Sequence, residues 1–285
     1  MKQKYLKSLF FFAFHGLPDR LYTQLMYLFY FRRWPNFKNP NLYTEKIQAL
    51  KLLPVHSLVA QCADKVTLRD YLASLDLQQH LTDVLDIADS LGDIRWYEYP
   101  LPYIVKISNA SGHNAVIRSF DDIPKAIKQF QVWSNIDFSQ RYRERYYRCA
   151  KQRFVIEPYI ENLRDIRIHC FHGEPTFIAY SFVEITGNPK VMLDFNCQVE
   201  KYPFTRNYTI EQVPDIKDDL PELYQLAKKL STPFTYVRVD TYRINNVIKI
   251  GEMTFTPLAG LALRDAFDVD MRWGTLMGDC SQWVR

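Results

Sequence analysis

The sequence predicts an α+β protein with an N-terminal helical segment and a β-rich remainder. Two observations carry this. The first hundred residues read mainly as helices, and from Tyr103 the texture changes to short apolar strands separated by hairpin signals. A third bounds the size of the fold: 47% of the 285 residues are hydrophobic, enough for a sizeable core in one large domain or two or three small lobes. No repeat, low-complexity tract or long linker interrupts the chain.

The elements follow in order. Residues 1 to about 40 read as helical and end at Trp34-Pro35. Within them, Leu6 to Phe14 is an apolar run after Lys2, Lys4 and Lys7. It has the look of a signal peptide, but it is short, meets His15, Gly16 and Asp19, and has no small-residue cleavage site. Leu21 to Phe31 is too short to span a bilayer. Both runs are expected to be buried helices, with helices lying on a membrane surface as the alternative. Pro40-Asn41 makes a turn, and a helix capped by Thr44 runs to Leu53. A further helix is expected over Leu58 to Ala73, carrying Asp64-Lys65, and residues 74 to 98 hold short α/β pieces.

Tyr103 to Ile107 is a strand, Ser108 to Asn114 a polar loop and Ala115 to Arg118 a second strand. Loop and helix follow over Ser119 to Val132, with Asp121-Asp122 near the start. Arg153 to Glu157 is a strand ending at Pro158. Ile166 to Phe171 and Thr176 to Val183 are strands joined through His172-Gly173-Glu174-Pro175. Leu220 to Leu230 is a helix. Tyr236 to Ile244 and Val247 to Phe255 form a last hairpin turning at Asn245-Asn246.

Charge and cysteine usage exclude several classes. The net charge is +4 and the pI about 8.6, below the footprint of a nucleic-acid binder and compatible with an anionic substrate. Five scattered cysteines with no CxxC argue against a disulfide framework or a zinc site and fit a reducing compartment.

The last hairpin is the most informative stretch. Arg238, Asp240, Tyr242 and Ile244 share one face of the first strand, and Ile248, Ile250, Glu252 and Thr254 one face of the second. A tight two-residue turn would put Asp240 and Glu252 on opposite faces; a three-residue turn or a bulge at Asn246 would put them together. The second register is the better hydrophobic match, setting Ile244 across from Ile248 and Tyr242 across from Ile250. Paired carboxylates repel and call for a cation, and hard oxygens on rigid strands suit Mg²⁺. Arg238 beside them could hold a phosphate. The plainer alternative is a ladder of salt bridges on a wet sheet face.

Three other stretches carry chemistry. Lys106 lies inside an apolar strand and needs an anion unless it snorkels from an edge; the loop behind it, with Ser111-Gly112, can aim N–H groups and hydroxyls at phosphate oxygens. Glu157-Pro158-Tyr159-Ile160 stops a strand and leaves backbone groups that could read an adenine edge. Asp165 could take ribose hydroxyls, and Arg167 a phosphate or a substrate carboxylate. Neither a P-loop nor a GxGxxG motif is present.

Taken in order, Asp64-Lys65, Val105-Lys106, Glu157 to Ile160, Asp165-Ile166-Arg167, Arg238-Val239-Asp240 and Glu252-Met253-Thr254 resemble the ATP-grasp superfamily from end to end. The chain is similar more closely to the TupA-like ATP-grasp family of polysaccharide-biosynthesis loci. Asn39 to Gln48, Ala63 to Lys65 with Arg69, the Lys106 loop, Tyr236 to Asp240 and Gly251 to Phe255 carry that likeness. It departs from the superfamily pattern at Thr254, where Asn is usual, at His113, where Gly is common, and at Leu258-Ala259-Gly260, a less Gly-rich turn.

The resemblance implies a nucleotide held between two α+β lobes. Residues 1–60 would be the helical segment, 61–102 a linking α/β portion, 103–160 the first lobe and 161–285 the second. It implies ATP and Mg²⁺, with Lys65 and Lys106 on the phosphates and Ser111 and Gly112 in the phosphate loop. Glu157, Tyr159 and Ile160 would lie beside adenine and Asp165 beside ribose. Arg238 and Arg167 would serve the transferred group, and Asp240, Glu252 and Thr254 the metal. The implied activity is a carboxylate–amine ligase acting through an acyl phosphate, with a small-molecule or glycan acceptor bearing a carboxylate and an amine donor. A glycosyltransferase or a kinase acting on a sugar hydroxyl is the alternative; Asp268-Val269-Asp270, the only acidic DxD spacing a glycosyltransferase could use, is expected to be structural. No nucleic-acid partner is expected. The expected location is cytoplasmic, at the inner face of the membrane if the N-terminal helices associate with it.

Overall fold

The computed structural model describes residues 11, 13–161, 163, 165–181, 190–199, 216–263 and 266–285. The start of the first apolar run, through Phe10, and the end of the strand expected to reach Val183 lie outside the described residues.

Among the described residues, α1 (Asp19–Phe31), α2 (Tyr43–Leu52), α3 (Ser57–Ala63) and α4 (Thr67–Ser74) precede the first strand. β1 (Asp86–Ala88), β2 (Tyr103–Ile107), β3 (Asn114–Ile117), α5 (Ile123–Trp133), the short α6 (Phe138–Arg141) and β4 (Phe154–Pro158) follow. Then come β5 (Asp165–Phe171), β6 (Glu174–Ser181), β7 (Lys190–Leu193), α7 (Leu220–Ser231), β8 (Tyr236–Ile244), β9 (Val247–Thr254) and α8 (Phe267–Met277).

Among the described residues the strands form two antiparallel sheets, ordered β1-β4-β2-β3 and β7-β6-β5-β8-β9. Each has its own core. In the first, Tyr103, Val105 and Ile107 are fully buried in one cluster with Ile123, Ala126 and Phe130 of α5. The two-residue period of a strand then turns Ile104 and Lys106 to the opposite face. In the second, Ile166, Ile168, Val237, Val239, Ile250 and Met253 are buried with Leu223, Leu226, Ala227 and Leu230 of α7. The alternate residues Asp165, Arg167, Arg238 and Asp240 face away from that core.

The structure corrects three local expectations. Thr44 does not cap α2. Leu42 is the cap residue, and Glu45 reaches back to accept the N–H groups of Asn41 (3.2 Å) and Leu42 (3.3 Å). Thr44 is buried, its N–H and hydroxyl donating to Asp270 at 2.8 and 2.7 Å. The helix expected over Leu58 to Ala73 is broken, because Asp64 leaves helical geometry (φ −92°, ψ 129°) and its Oδ1 accepts the N–H groups of Val66 and Thr67, each at 3.0 Å. Lys65 sits on that break.

The hairpin register also differs. Asn245 and Asn246 both have positive φ (49° and 63°) and make a two-residue turn, so Ile244 pairs with Val247 and Tyr242 with Lys249. The irregularity lies at Gly251 instead, where the pairing shifts between Asp240 and Thr241. Asp240 still pairs with Glu252 and Arg238 with Thr254. A Cβ at Gly251 would lie 2.3 Å from the Tyr242 ring, so any other residue in the bulge would have to displace that ring.

Candidate functional site

The sheet faces turned away from the two cores bound a cleft of about 250 Å³. Lys65, Lys106, Glu157, Tyr159, Ile160 and Asp165 line it, with Gly112 and Glu252. It continues into a wider chamber of about 780 Å³ lined by Ser111, Gly112, Asp165, Arg167, Arg238, Asp240, Glu252 and Thr254. Every site residue expected from the sequence lines one or both spaces.

One wall is cationic at its base. Lys106 pairs with Oε2 of Glu157, whose Oε1 accepts the Thr82 hydroxyl at 3.0 Å. The lysine that needed an anion has one inside the cleft. Lys65 donates from its backbone N–H to Ser108 O (3.1 Å) and from Nζ to Ala110 O (2.7 Å), fastening the α3–α4 break to the loop after β2. Its Nζ lies 3.9 Å from Glu252 Oε2, across the cleft. Burial lowers the Lys65 pKa from its usual value, Glu252 opposes this and Lys106 adds to it. An anion placed between the lysines would relieve both penalties.

The other wall is a charge ladder across β5, β8 and β9. Arg238 grips Asp240 through two hydrogen bonds of 2.6 Å and donates to the Thr254 hydroxyl at 3.3 Å. Thr254 donates to Glu252 Oε1 at 3.1 Å. Arg167 lies 2.5 Å from Asp165 and 3.8 Å from Asp240. Burial pushes Asp240 up to about 6, with Arg238 opposing and Glu252 adding to the rise. Burial would also raise Glu252, but Lys65 and Arg238 outweigh it and leave that acid below its usual value.

The donor set fits a hard dication. Two carboxylates and a hydroxyl converge from adjacent strands, and neither histidine nor cysteine stands among them. Among the described residues the ion pair recorded for Glu252 Oε2 is the loose one with Lys65 at 3.9 Å, which leaves that oxygen open to a further cation. Among the described residues no cluster of three or more His, Cys, Asp or Glu forms a protein-only metal cage. A cation here would have to lean on ligand oxygens, which is the habit of Mg²⁺ with phosphates.

The remaining expected residues hold the rim. Tyr159 is anchored by its N–H to Pro102 O (3.0 Å), and Arg118 lies 4.9 Å from its ring centroid. Gly112 has a positive φ of 71°, and His113 Nδ1 lies 2.7 Å from Ser111 O, closing the loop on itself. Sequence reasoning missed Thr82, which orients Glu157, and Tyr147 and Glu144 of the wider chamber. Thr82 and Glu144 stand in irregular chain and Tyr147 in a 3₁₀ turn, where no periodicity announces a role. It also placed the bulge at Asn246, although a glycine inside a strand pattern is the signal that marks Gly251.

Asp268-Val269-Asp270 proves structural in its second acid. Asp270 is fully buried, accepts from Thr44 and lies 2.8 Å from Arg33. No described helix is long and apolar enough to cross a membrane.

A family model described as TupA-like ATPgrasp matches residues 45–277. No curated protein matches the chain. Among solved structures, D-alanine–D-alanine ligase from Helicobacter pylori is 17% identical, covering 77% of this chain and 61% of its own, with a TM-score of 0.42. The ATP complex of the Bacillus anthracis D-alanine–D-alanine ligase is 16% identical, covering 76% of this chain and 69% of its own, with a TM-score of 0.44. An L-amino acid ligase from Bacillus licheniformis is 12% identical, covering 82% of this chain and 55% of its own, with a TM-score of 0.49. The chain thus spans less than two thirds of the Helicobacter and licheniformis proteins.

Proposed function

The chain belongs to the TupA-like ATP-grasp family, and on that premise we propose that it is an ATP-dependent carboxylate–amine ligase. The observation that carries this reading is the facing of Lys65 and Lys106 with Glu252 across one cleft, with Asp240 paired to Glu252 on the adjacent strand.

ATP would lie with its adenine beside Glu157 to Ile160 and its ribose toward Asp165. Its phosphates would run between the lysines. Asp240, Glu252 and the Thr254 hydroxyl would hold Mg²⁺, which supplies neutralisation of phosphate charge when bound. Lys65 and Lys106 balance the negative charge of the triphosphate from the opposite wall. Arg238 and Arg167 line the wider chamber, where an acceptor carboxylate would meet the terminal phosphoryl group. Their guanidiniums orient that carboxylate and offset the charge that develops as the phosphoryl group passes to it. The acyl phosphate so formed would react with an amine to give an amide, releasing phosphate.

For the acceptor we propose a uronic-acid-bearing glycan or its precursor, in surface-polysaccharide synthesis. Two features support it. The wider chamber combines arginines for a carboxylate with the aromatic faces of Phe138, Tyr142 and Tyr147, which suit the apolar face of a sugar ring. The family resemblance points the same way.

The test is ADP release from Mg-ATP with a panel of uronic acids and amino acids. The reading predicts ADP release that depends on both substrates and is lost in Lys106→Ala and Glu252→Ala. Transfer from a UDP-sugar without ADP would overturn it, and so would full activity in both variants.

A further inference from the structure

The wider chamber contains an acid that the phosphate chemistry does not use. Glu144, after α6, lines this chamber and not the inner cleft. Its Oε1 accepts hydroxyl protons from Tyr146 (3.1 Å) and from Thr256, and those two hydroxyls are 2.7 Å apart. The carboxylate is therefore fixed in place from one side. Its Oε2 has no hydrogen bond or ion pair among the described residues. The cation behind it, Lys51, is satisfied by carbonyls instead, donating to Tyr142 O (2.8 Å) and Ala259 O (3.0 Å). Burial raises the Glu144 pKa above the usual carboxylate range, with Lys51 opposing.

The position of Glu144 relative to the reacting centre is defined by the chain. Thr256 lies two residues beyond Thr254, whose hydroxyl touches Glu252, in the bend that follows β9. Tyr147 feels the charge of both Glu144 and Glu252. The chamber is thus lined by the guanidiniums of Arg141, Arg167 and Arg238 and by the Glu144 carboxylate, whose second oxygen is unengaged among the described residues. An acceptor carboxylate has no use for Glu144, whereas an ammonium does.

We propose that Glu144 receives the amine substrate: its Oε2 binds the incoming ammonium and takes one proton as the amine attacks the acyl phosphate. This rests on the ligase reading. The amine enters as R–NH₃⁺ and passes one proton to Glu144. Its lone pair forms the C–N bond at the acyl carbon. The bond from that carbon to the phosphate oxygen breaks, the electron pair leaving with phosphate. A second N–H proton goes to the departing phosphate, and Glu144 returns its proton to solvent through the chamber. The substrate class is therefore a primary amine that is charged when free.

Hydroxylamine separates this role from the rest of the reaction, because it is uncharged at neutral pH and traps acyl phosphates as hydroxamates without needing an ammonium site. Wild-type protein and Glu144→Gln are assayed with Mg-ATP and the uronic-acid panel, once with hydroxylamine and once with amino acids. The expected result is hydroxamate formation in Glu144→Gln within about twofold of wild type, with amide formation reduced on the order of 10²–10⁴-fold. Glu144→Asp, which keeps the charge but withdraws it by one carbon, is expected to raise the KM for the amine while leaving the hydroxamate rate in place. Loss of both products together in both variants, or retention of both, overturns the proposal. A wild-type protein that makes no hydroxamate with any carboxylate overturns the ligase reading, and the amine site with it.

Discussion

Lys106 shows how much a single residue can announce. An ammonium inside an apolar strand requires a partner, and the partner, Glu157, stands on the adjacent strand within the cleft. Replacing Lys106 with alanine leaves the Glu157 carboxylate without its cation, held among the described residues by Thr82 alone, and removes an ammonium from the proposed phosphate site. We expect ADP release to fall on the order of 10²–10³-fold in kcat/KM, the loss typical of one preorganised charge donor. Initial rates check this; a drop below about threefold would place Lys106 outside the reaction. Asp240 gives a second expectation. Its carboxyl, raised to about 6 by burial, is protonated below that pH and ionised above it. Only the ionised form is a good Mg²⁺ ligand. Mg²⁺ binding measured by calorimetry should therefore weaken as pH falls through about 6, and Asp240→Asn should remove that step. Glu144 shows the opposite limit of legibility. It lies in irregular chain after α6, and its place in the chamber is fixed by Tyr146 and Thr256, contacts that no spacing in the sequence reveals.

At the scale of the element, the decisive feature is the bulge at Gly251. The alternation of Arg238, Asp240 and Tyr242 was readable, and so was the need to bring Asp240 and Glu252 onto one face. The device was not, because a turn and a bulge solve the same register problem and the apolar pattern favoured moving the turn. The structure keeps a tight Asn245-Asn246 turn and inserts the extra residue where Gly251 lets the Tyr242 ring lie against the backbone. Gly251→Ala should cost about 1–3 kcal/mol through overpacking and should weaken Mg²⁺ binding by tilting Glu252. Thermal melting and calorimetry report the two effects separately. A variant with unchanged melting and unchanged metal affinity would mean the bulge tolerates a side chain. The α2–α8 contact makes a contrasting case. Asp270 is wholly buried between Thr44 and Arg33, far in role from any nucleotide sugar. Asp270→Ala should cost about 1–3 kcal/mol by leaving the buried Thr44 N–H and hydroxyl without their acceptor. Nucleotide affinity of the folded fraction should not change. Loss of nucleotide affinity without loss of stability would restore a functional role to that acidic pair.

At the scale of the molecule, two antiparallel sheets, each backed by its own helix, turn their polar faces toward a shared cleft. Much of this was legible from Tyr103 onward, since alternating apolar residues fix which side of each strand is buried and hence which side faces the site. The helical segment was less so. The break at Asp64 depends on a side chain capping its own backbone, and it converts Lys65 from a helix-surface residue into one that bridges α4 and the loop after β2. A ligand gripped by both sheets should tie them together. At a concentration of 100 times its Kd, a non-hydrolysable Mg-ATP analogue should stabilise the fold by about 2.7 kcal/mol.

The most direct measurement is a crystal structure with Mg²⁺ and that non-hydrolysable ATP analogue. It should place the triphosphate between the ammonium groups of Lys65 and Lys106 and a cation bound by Asp240 and Glu252, with adenine beside Glu157 to Ile160. A nucleotide bound elsewhere, or phosphates touching neither the lysines nor the acid pair, would contradict the account.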